Sequence, residues 1–430
     1  MHVARSNRSF RSLLVGRLVT NAGDSLYSVA AMWLVWELSA SPGVTAVAGF
    51  LTRLPTVLQL FAGPLVDRWP LGRVLVGTQV VQAVLVLAVP AAWAVDALTV
   101  GVVLTVMPLL ALCNQLVYPA QAAAVPRLVE KAKLVEANSA LALAYQSSDL
   151  VFNAVAGLLV AAVGAVALYL VDSVTFVVAA LLFLSVRIPP AEAEGAESAG
   201  DDTAAEPTTA PVADGGVDAE ESFLRSYLAD LREGLGYVRG TVIVHLLAGG
   251  VIANFALAAT MPILPAFGDG MGGATAYGGL LAAIAAGSLV GSLLANRLSG
   301  QPYGRLAAVG FGAGGLCWLA AVAVPGTLAT LLLLGLAAVP IGVTNVVAAA
   351  MIQSLVPEAL LGRVSSVATS MTVAMTPVGA LAGGVVAETV GLTAAVALGG
   401  LGLLFIAVYT LSIPRLRRLP PAGELETLAR

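Results

Sequence analysis

Apolar residues run through this chain in long unbroken stretches rather than in alternation. About twelve runs of spanning length stand out, at 13–36, 44–66, 74–95, 99–121, 136–163, 165–186, 241–266, 276–297, 305–324, 328–352, 363–387 and 391–413. A helix needs roughly 20 apolar residues to cross the hydrocarbon core of a bilayer, whereas a barrel strand would alternate apolar and polar positions. The pattern therefore predicts transmembrane helices. The longest break, 189–221, divides the runs six and six. It is rich in Ala, Glu, Asp, Thr, Pro and Gly, buries too little apolar surface to offset chain entropy, and is expected to be disordered. Behind it, Phe223, Tyr227, Leu228, Leu231, Leu235 and Val238 recur near helical spacing. They predict an amphipathic helix over 222–240 lying on the membrane surface. The expected fold is all-α and integral to the membrane, with two pseudo-symmetric six-helix bundles. Its parts are a first bundle at 1–188, the linker at 189–221, the surface helix at 222–240, a second bundle at 241–418 and a tail at 419–430.

Composition supports lipid as the natural solvent. Of the 430 residues 59% are hydrophobic and 11% charged, with mean hydropathy +0.93. A soluble chain of that length could not hide so much apolar surface. The formal charge of −4 conceals a division: residues 192–221 hold ten acids and no base, leaving the rest at +6. Lys and Arg fall in alternate loops. Arg5, Arg8, Arg11, Arg68, Arg73, Arg127, Lys131, Lys133, Arg187, Arg297, Arg305, Arg363, Arg415, Arg417 and Arg418 lie on one side, and loops near 38–43, 96–98, 267–274 and 325–327 have none. The positive-inside rule then places both termini in the cytoplasm. The basic start leads into a long span without a small-residue cleavage site, so no cleavable leader is expected. Cys113 and Cys317 both lie in expected spans, against a disulfide framework.

The halves echo one another. GPLVDRWPLGR (63–73) after span 2 corresponds to GSLLANRLSGQPYGR (291–305) after span 8, and VYPAQAAAVPRLVE (117–130) to VAAAMIQSLVPEALLGR (347–363). Paired six-helix halves are a common plan for carriers that alternate access around a midplane site. The stretches RLVTNAGDSLYSVAAMWLV (17–35), RLPTVLQLFAGPLVDRWPLGRVLV (53–76), YPAQAAAVPRLVEKAKLVEANSAL (118–141), VDSVTF (171–176), VPEALLGRVSSV (356–367) and TPVGALAGGVVAETVG (376–391) carry a closer likeness. Through them the chain resembles the major facilitator superfamily, and within it the drug, macrolide and siderophore exporters. The resemblance implies efflux by alternation between inward- and outward-open states, typically driven by the proton gradient. It also implies that Gly63, Asp67, Arg68 and Arg73, in the loop after span 2, form the family's conformational latch. Physically, Gly63 permits close helix packing, and Asp67 at a helix end can accept hydrogen bonds in one of two states. Arg68 and Arg73 equally suit a purely topogenic role. Leu71 and Gly72 depart from the family pattern, Asn296 stands where Asp67 stands in the first half, and span 5 lacks the family's Gly-Pro.

Charges inside spans cost at least ~2.5–3.5 kcal/mol each, so each is a functional candidate. Asp24 lies on the stripe Arg17, Asn21, Asp24, Ser28 along one face of span 1. Arg53 lies near the middle of span 2 at similar depth, which suggests an Asp24–Arg53 pair with Asp24 as proton carrier. Asp149 lies in the middle of span 5, with Tyr145 and Asn153 one turn to either side, as a second carrier of protons or binder of cationic cargo. Asp172, in VDSVTF, is expected to fix packing. Asn21, Gln115, Tyr118, Tyr145, Asn153, Asn254 and Asn345 are candidate cavity-lining residues, although Asn and Gln in spans equally serve as interhelical glue. No His/Cys/carboxylate spacing suggests a metal, and no phosphate loop, nucleophile–base pair or cofactor motif is present. The expectation is a non-enzymatic exporter of amphipathic or hydrophobic small molecules, a monomer with lipid, protons and cargo as partners and no nucleic acid. Uptake or facilitated diffusion of a small solute, and a non-transporting sensor, are the alternatives. The expected location is a prokaryotic plasma membrane; the acidic linker and only two lysines would suit a halophile's cytoplasm, which makes a halophilic archaeon one candidate source.

Overall fold

A computed structural model describes residues 7–67, 69–130, 133–189 and 232–421; side chains at 57–67, 146–147, 149–150, 154 and 358–359 lie outside the description. The linker reading, most of the surface-helix reading and the end of the tail fall on residues outside it. The first half holds α1 (Arg8–Ser39), α2 (Pro42–Asp67), α3 (Leu71–Val86), α4 (Ala88–Ala94), α5 (Val100–Leu128), α6 (Leu134–Val163) and α7 (Ala165–Leu184). The second holds α8 (Ile243–Thr260), a 3-10 turn (Met261–Ile263), α9 (Leu264–Leu298), α10 (Tyr303–Ala323), α11 (Thr327–Leu355), α12 (Glu358–Thr389), α13 (Leu392–Ser412) and the stub α14 (Pro414–Arg417).

Every expected span falls on helix. Eight helical stretches are long and apolar enough to cross a membrane by themselves, and one of these, Ile243–Leu298, has 56 residues. It holds two crossings because α9 turns back at Gly272 and Gly273, whose φ values of 141° and 73° suit glycine. The remaining crossings are α1, α2 and α6, which carry Arg17 and Asp24, Arg53, and Asp149 respectively. The eight are counted on described residues alone, and α2 and α6 run through side chains outside that description.

Packing repeats between the halves. In the first, α1 packs on α6 and α7, α2 on α5, and α3 on α5 and α7. In the second, α8 packs on α12 and α13, the later arm of α9 on α11, and α10 on α11 and α13. Each pairing recurs six crossings later, as a duplicated bundle requires. Between the halves, α2 meets α12 and α6 meets α9, two contacts that exchange under the same pseudo-twofold relation.

The described Arg- and Lys-bearing loop residues and the described ends of the chain, at Asn7 and near Leu419, share one face, here termed the basic face. Residues 232–238 are helical there, but the segment is docked on protein. Val238 is buried with Ile243, Val356, Val364 and Val367, Tyr237 Oη donates to Leu355 O at 3.3 Å, and Arg363 pairs with Glu233. The expected membrane-facing surface helix is thus, in its described part, a cap on the ends of α11 and α12. An apolar stripe predicts burial without saying whether lipid or protein covers it, and over 232–238 protein covers part of it.

Candidate functional site

α1 and α7 run antiparallel, and a ladder of contacts sets their register. Ser185 Oγ donates to Ser12 Oγ at 2.9 Å, a Cβ on Gly16 would meet the Phe183 ring, and Tyr27 and Tyr169 stack edge to face at 5.2 Å. Midway along this ladder Gly23 brings the helices so close that a Cβ there would strike Asp172 Oδ1 and stand 3.0 Å from Thr175 Cβ. Asp24 therefore lies at the depth of Asp172, and the two are within electrostatic reach of one another. Asp172 is fully buried; its Oδ1 accepts from Thr175 Oγ1 at 3.1 Å, while Oδ2 has no hydrogen-bond partner.

Arg53 projects from α2 with substantial exposure and, among the described residues, forms no hydrogen bond or ion pair. The expected Asp24–Arg53 pair is therefore not formed in this conformation. Depth along two neighbouring helices is one coordinate of three: α1 is wedged mainly against α6 and α7, while α2 turns toward α5 and α12.

A second constellation surrounds Arg17, two turns nearer the basic face. Its guanidinium lies between the rings of Tyr118 and Tyr145, at 5.2 and 5.1 Å from their centroids. Nε donates to Tyr145 Oη at 2.9 Å, Nη2 to Asn21 Oδ1 at 3.4 Å, and Tyr145 Oη donates in turn to Gln121 Oε1. Arg17 is 1% exposed and its Nη1 has no partner. Such a cation is held by ring quadrupoles and neutral acceptors rather than by a carboxylate. Asn21, Tyr118 and Tyr145 are thus brought together as candidate wall residues, with Tyr118 remaining 43% exposed. Arg17 and Gln121 were missed as site residues. The i, i+4 spacing of Arg17 and Asn21 was the available signal, but a basic residue near a helix start also satisfies topology.

A polar seam joins α3, α5 and α7: Gln79 donates to Gln82, Gln82 to Asn114 at 3.1 Å, and Ser173 Oγ to Ala83 O at 3.1 Å. Among the described side chains, the other candidates stand apart from these clusters. Gln115 and Asn254 bond to carbonyls of their own helices, at 3.2 and 2.9 Å, and Asn345 is exposed on α11. Asn153 is half-buried, and the Asp149 side chain lies outside the description. So do the Gly63–Asp67 side chains and the whole of Arg68. Arg73 is exposed, lining with Arg127, Leu71 and Phe183 a groove of about 850 Å³ on the basic face.

The halves approach closely toward the opposite face. A Cβ on Gly157 of α6 would meet Gly278 Cα and stand 2.6 Å from Ala274 O, so these helices touch backbone to backbone. This small-residue crossing lies about one turn beyond Phe152 and Asn153, near which the resembled family's Gly-Pro is expected. Gly49 lies against Pro262, Trp33 stacks on Tyr277 at 6.2 Å, and Gly384 abuts Ala46. Where α2 begins, Ser41 Oγ accepts from Val44 N at 3.2 Å, a helix cap within one half. Glu388, from α12 in the other half, accepts from Ser41 Oγ at 2.7 Å and from Gly43 N at 2.9 Å. The result resembles a capping box whose acid comes from the opposite bundle, with negative charge at the positive end of the helix.

Two duplicated six-crossing bundles, joined across one end and holding polar clusters in the membrane, define a secondary transporter of the kind that works by alternating access. The family model described as the Major Facilitator Superfamily matches residues 13–375, and the chain belongs to that family. It is 26% identical to the multidrug efflux pump Tap of Mycolicibacterium fortuitum, over 96% of this chain and 97% of that protein. It is 25% identical to the Tap pump of Mycobacterium tuberculosis strain H37Rv, over 96% and 95%. Among solved structures, a bacterial homologue of the iron transporter ferroportin in an inward-facing state aligns with TM-score 0.64 at 17% identity, covering 94% of this chain and 98% of that one. A bacterial homologue of the human lysosomal transporter Spinster, inward-facing and unoccupied, aligns with TM-score 0.62 at 13% identity, covering 98% of each. At these identities the structural neighbours show the fold alone.

Proposed function

We propose that this chain exports amphipathic or hydrophobic small molecules across a prokaryotic plasma membrane by proton-coupled antiport. The basic face is read as cytoplasmic, since Lys and Arg collect there and the opposite loops have none. The observation that carries the reading is the union of near full-length similarity to Tap efflux pumps with backbone-close joining of the halves toward the opposite face. A carrier so joined is closed outward and takes cargo from inside. Tyr118 and Arg53 supply an exposed aromatic surface and an exposed polar group within the crossings, suited to amphipathic cargo. The role assigned to the protein is carriage rather than chemical conversion of that cargo.

The test is flux in proteoliposomes with ethidium, a lipophilic cation, under an imposed pH gradient. Uphill ethidium movement that collapses when the gradient is dissipated supports antiport. Gradient-independent equilibration would make the protein a facilitator, and absence of flux would make it a non-transporting sensor.

A further inference from the structure

We infer that a groove at the end of the molecule opposite the basic face is a binding site for a lipophilic aromatic cation. Glu37 meets the charge of the ligand, and Trp33 and Trp93 meet its rings. The groove encloses about 1060 Å³ between α1, α4, the junction of α6 with α7, and the turn of α9. Glycines shape it. Gly164, at φ 83°, parts α6 from α7, and Gly272 and Gly273 reverse α9 on the facing side. A Cβ on Gly164 would meet nothing within 4 Å, whereas one on Gly157, two turns earlier, strikes α9. The helices that touch at Gly157 have thus separated by Gly164, and the space between them is the groove.

Its lining decides what fits. Apart from the indole N–H groups, Glu37 and Thr275 carry its only polar side-chain atoms. Glu37 is exposed and, among the described residues, makes no hydrogen bond or ion pair. Trp93 is 61% exposed at the rim, and Trp33 is half-buried against Tyr277. An indole face attracts a cation, the more so where water is excluded. A carboxylate among apolar walls acts through a lower effective dielectric than that of water. The volume matches the upper range of sites for drug-sized ligands.

The surrounding charge argues against a phospholipid as the occupant. Loops near 38–43, 96–98, 267–274 and 325–327 carry no Lys or Arg, while Asp96 and Asp269 add negative charge. A lipid phosphate would find no cation at this face and would confront Glu37 instead. A planar organic cation suits both the rings and the charge. Arg17, twenty residues back along α1, is about 30 Å away by helical rise, so this site is separate from the cluster around that cation. Gly272 to Thr275 belong to the second half, so the groove is complete only while the halves are joined. An occupant therefore favours the joined state over the separated one.

The inference does not rest on the transport reading above, because its experiment measures binding alone. The full chain in phosphatidylglycerol nanodiscs is irradiated with ethidium monoazide, and the adducts are mapped by mass spectrometry. Wild-type protein should carry adducts on residues 87–98 and 160–170. Tetraphenylphosphonium should compete for them, whereas tetraphenylborate, of the same shape and opposite charge, should not. Glu37→Gln should raise the probe concentration needed for half-labelling about fivefold, the upper end for one exposed charge pair. Glu37→Asp should recover most of that loss. Trp93→Leu, read on residues 160–170, should raise the same concentration about threefold. No adduct in the groove, equal competition by tetraphenylborate, or labelling unmoved by Glu37→Gln would overturn the inference. So would labelling lost when phosphatidylethanolamine is added to the nanodiscs, which would make the groove a lipid site. Groove labelling as expected without ethidium flux would overturn the transport reading and leave this site standing.

Discussion

Replacing Gly157 by alanine should drive the halves apart at the face opposite the termini. A methyl there would overlap Gly278 Cα and stand 2.6 Å from Ala274 O and from Gly278 N, where ordinary contact begins at 3.4 Å. All of these are backbone atoms, so no side chain can rotate away, and α6 and α9 must separate by at least about 0.8 Å. Overpacking of this kind costs about 1–3 kcal/mol. If the cost falls on the joined state alone, ~2 kcal/mol lowers its population about thirtyfold relative to the separated state. Spin labels introduced by Val95→Cys and Val390→Cys, exposed positions in the two halves near this face, would report the change by pulsed dipolar spectroscopy. The native Cys113 and Cys317 would first be replaced. The distance distribution should gain a longer component in Gly157→Ala. Gly77→Ala, where an added methyl meets nothing within 4 Å, is the control. A Gly157→Ala distribution identical to wild type would refute the argument that this crossing holds the halves together.

Glu388→Gln removes the charge at the start of α2 and should lengthen the same spin-label distances, with Ser41→Ala acting more weakly because the Gly43 amide still reaches the acid. Arg17→Ala should lower thermal stability by about 2 kcal/mol, as two ring contacts and two hydrogen bonds are lost. Arg17→Lys should recover little of it, because an ammonium lacks the planar fork; unchanged melting in both variants would contradict the clamp. Val238→Asp should loosen the segment at 232–238 and expose it to protease, at a cost of about 2 kcal/mol from a buried apolar position. Arg363→Ala should cost under about 1 kcal/mol, since that ion pair is largely exposed.

The crossings could be read from the sequence because each contains its own evidence: length and apolar continuity are local properties. The second arm of α9 followed from the same local signals, and the duplication from the six-and-six division and the paired loop motifs. The site was harder, because its geometry is set between helices. The face shared by Arg17, Asn21 and Asp24 was visible as a stripe, yet a stripe does not name the helix opposite. Asp24 was matched with Arg53 by depth, whereas packing turned α1 toward α7 and gave it Asp172. Asp172 looked like a packing residue because it sits in VDSVTF, a block shared with the resembled family; its unpartnered oxygen exists only in three dimensions. Likewise Gly157 reads as one small residue among many until Gly278 is set against it.

The fastening at Glu388 has a genetic consequence. One of its acceptors' partners is a main-chain amide, which every residue type but proline supplies, so drift at position 43 cannot delete that donor. Drift there is limited instead by room, since a Cβ on Gly43 would stand 2.8 Å from the Glu388 carboxylate. Selected mutants that leak at the far face should therefore arise by losing the acid at 388 or by adding bulk at 43. The two routes would be told apart by suppression: shortening the acid to aspartate should relieve the second class, whereas the first should be relieved only by an acid restored at 388.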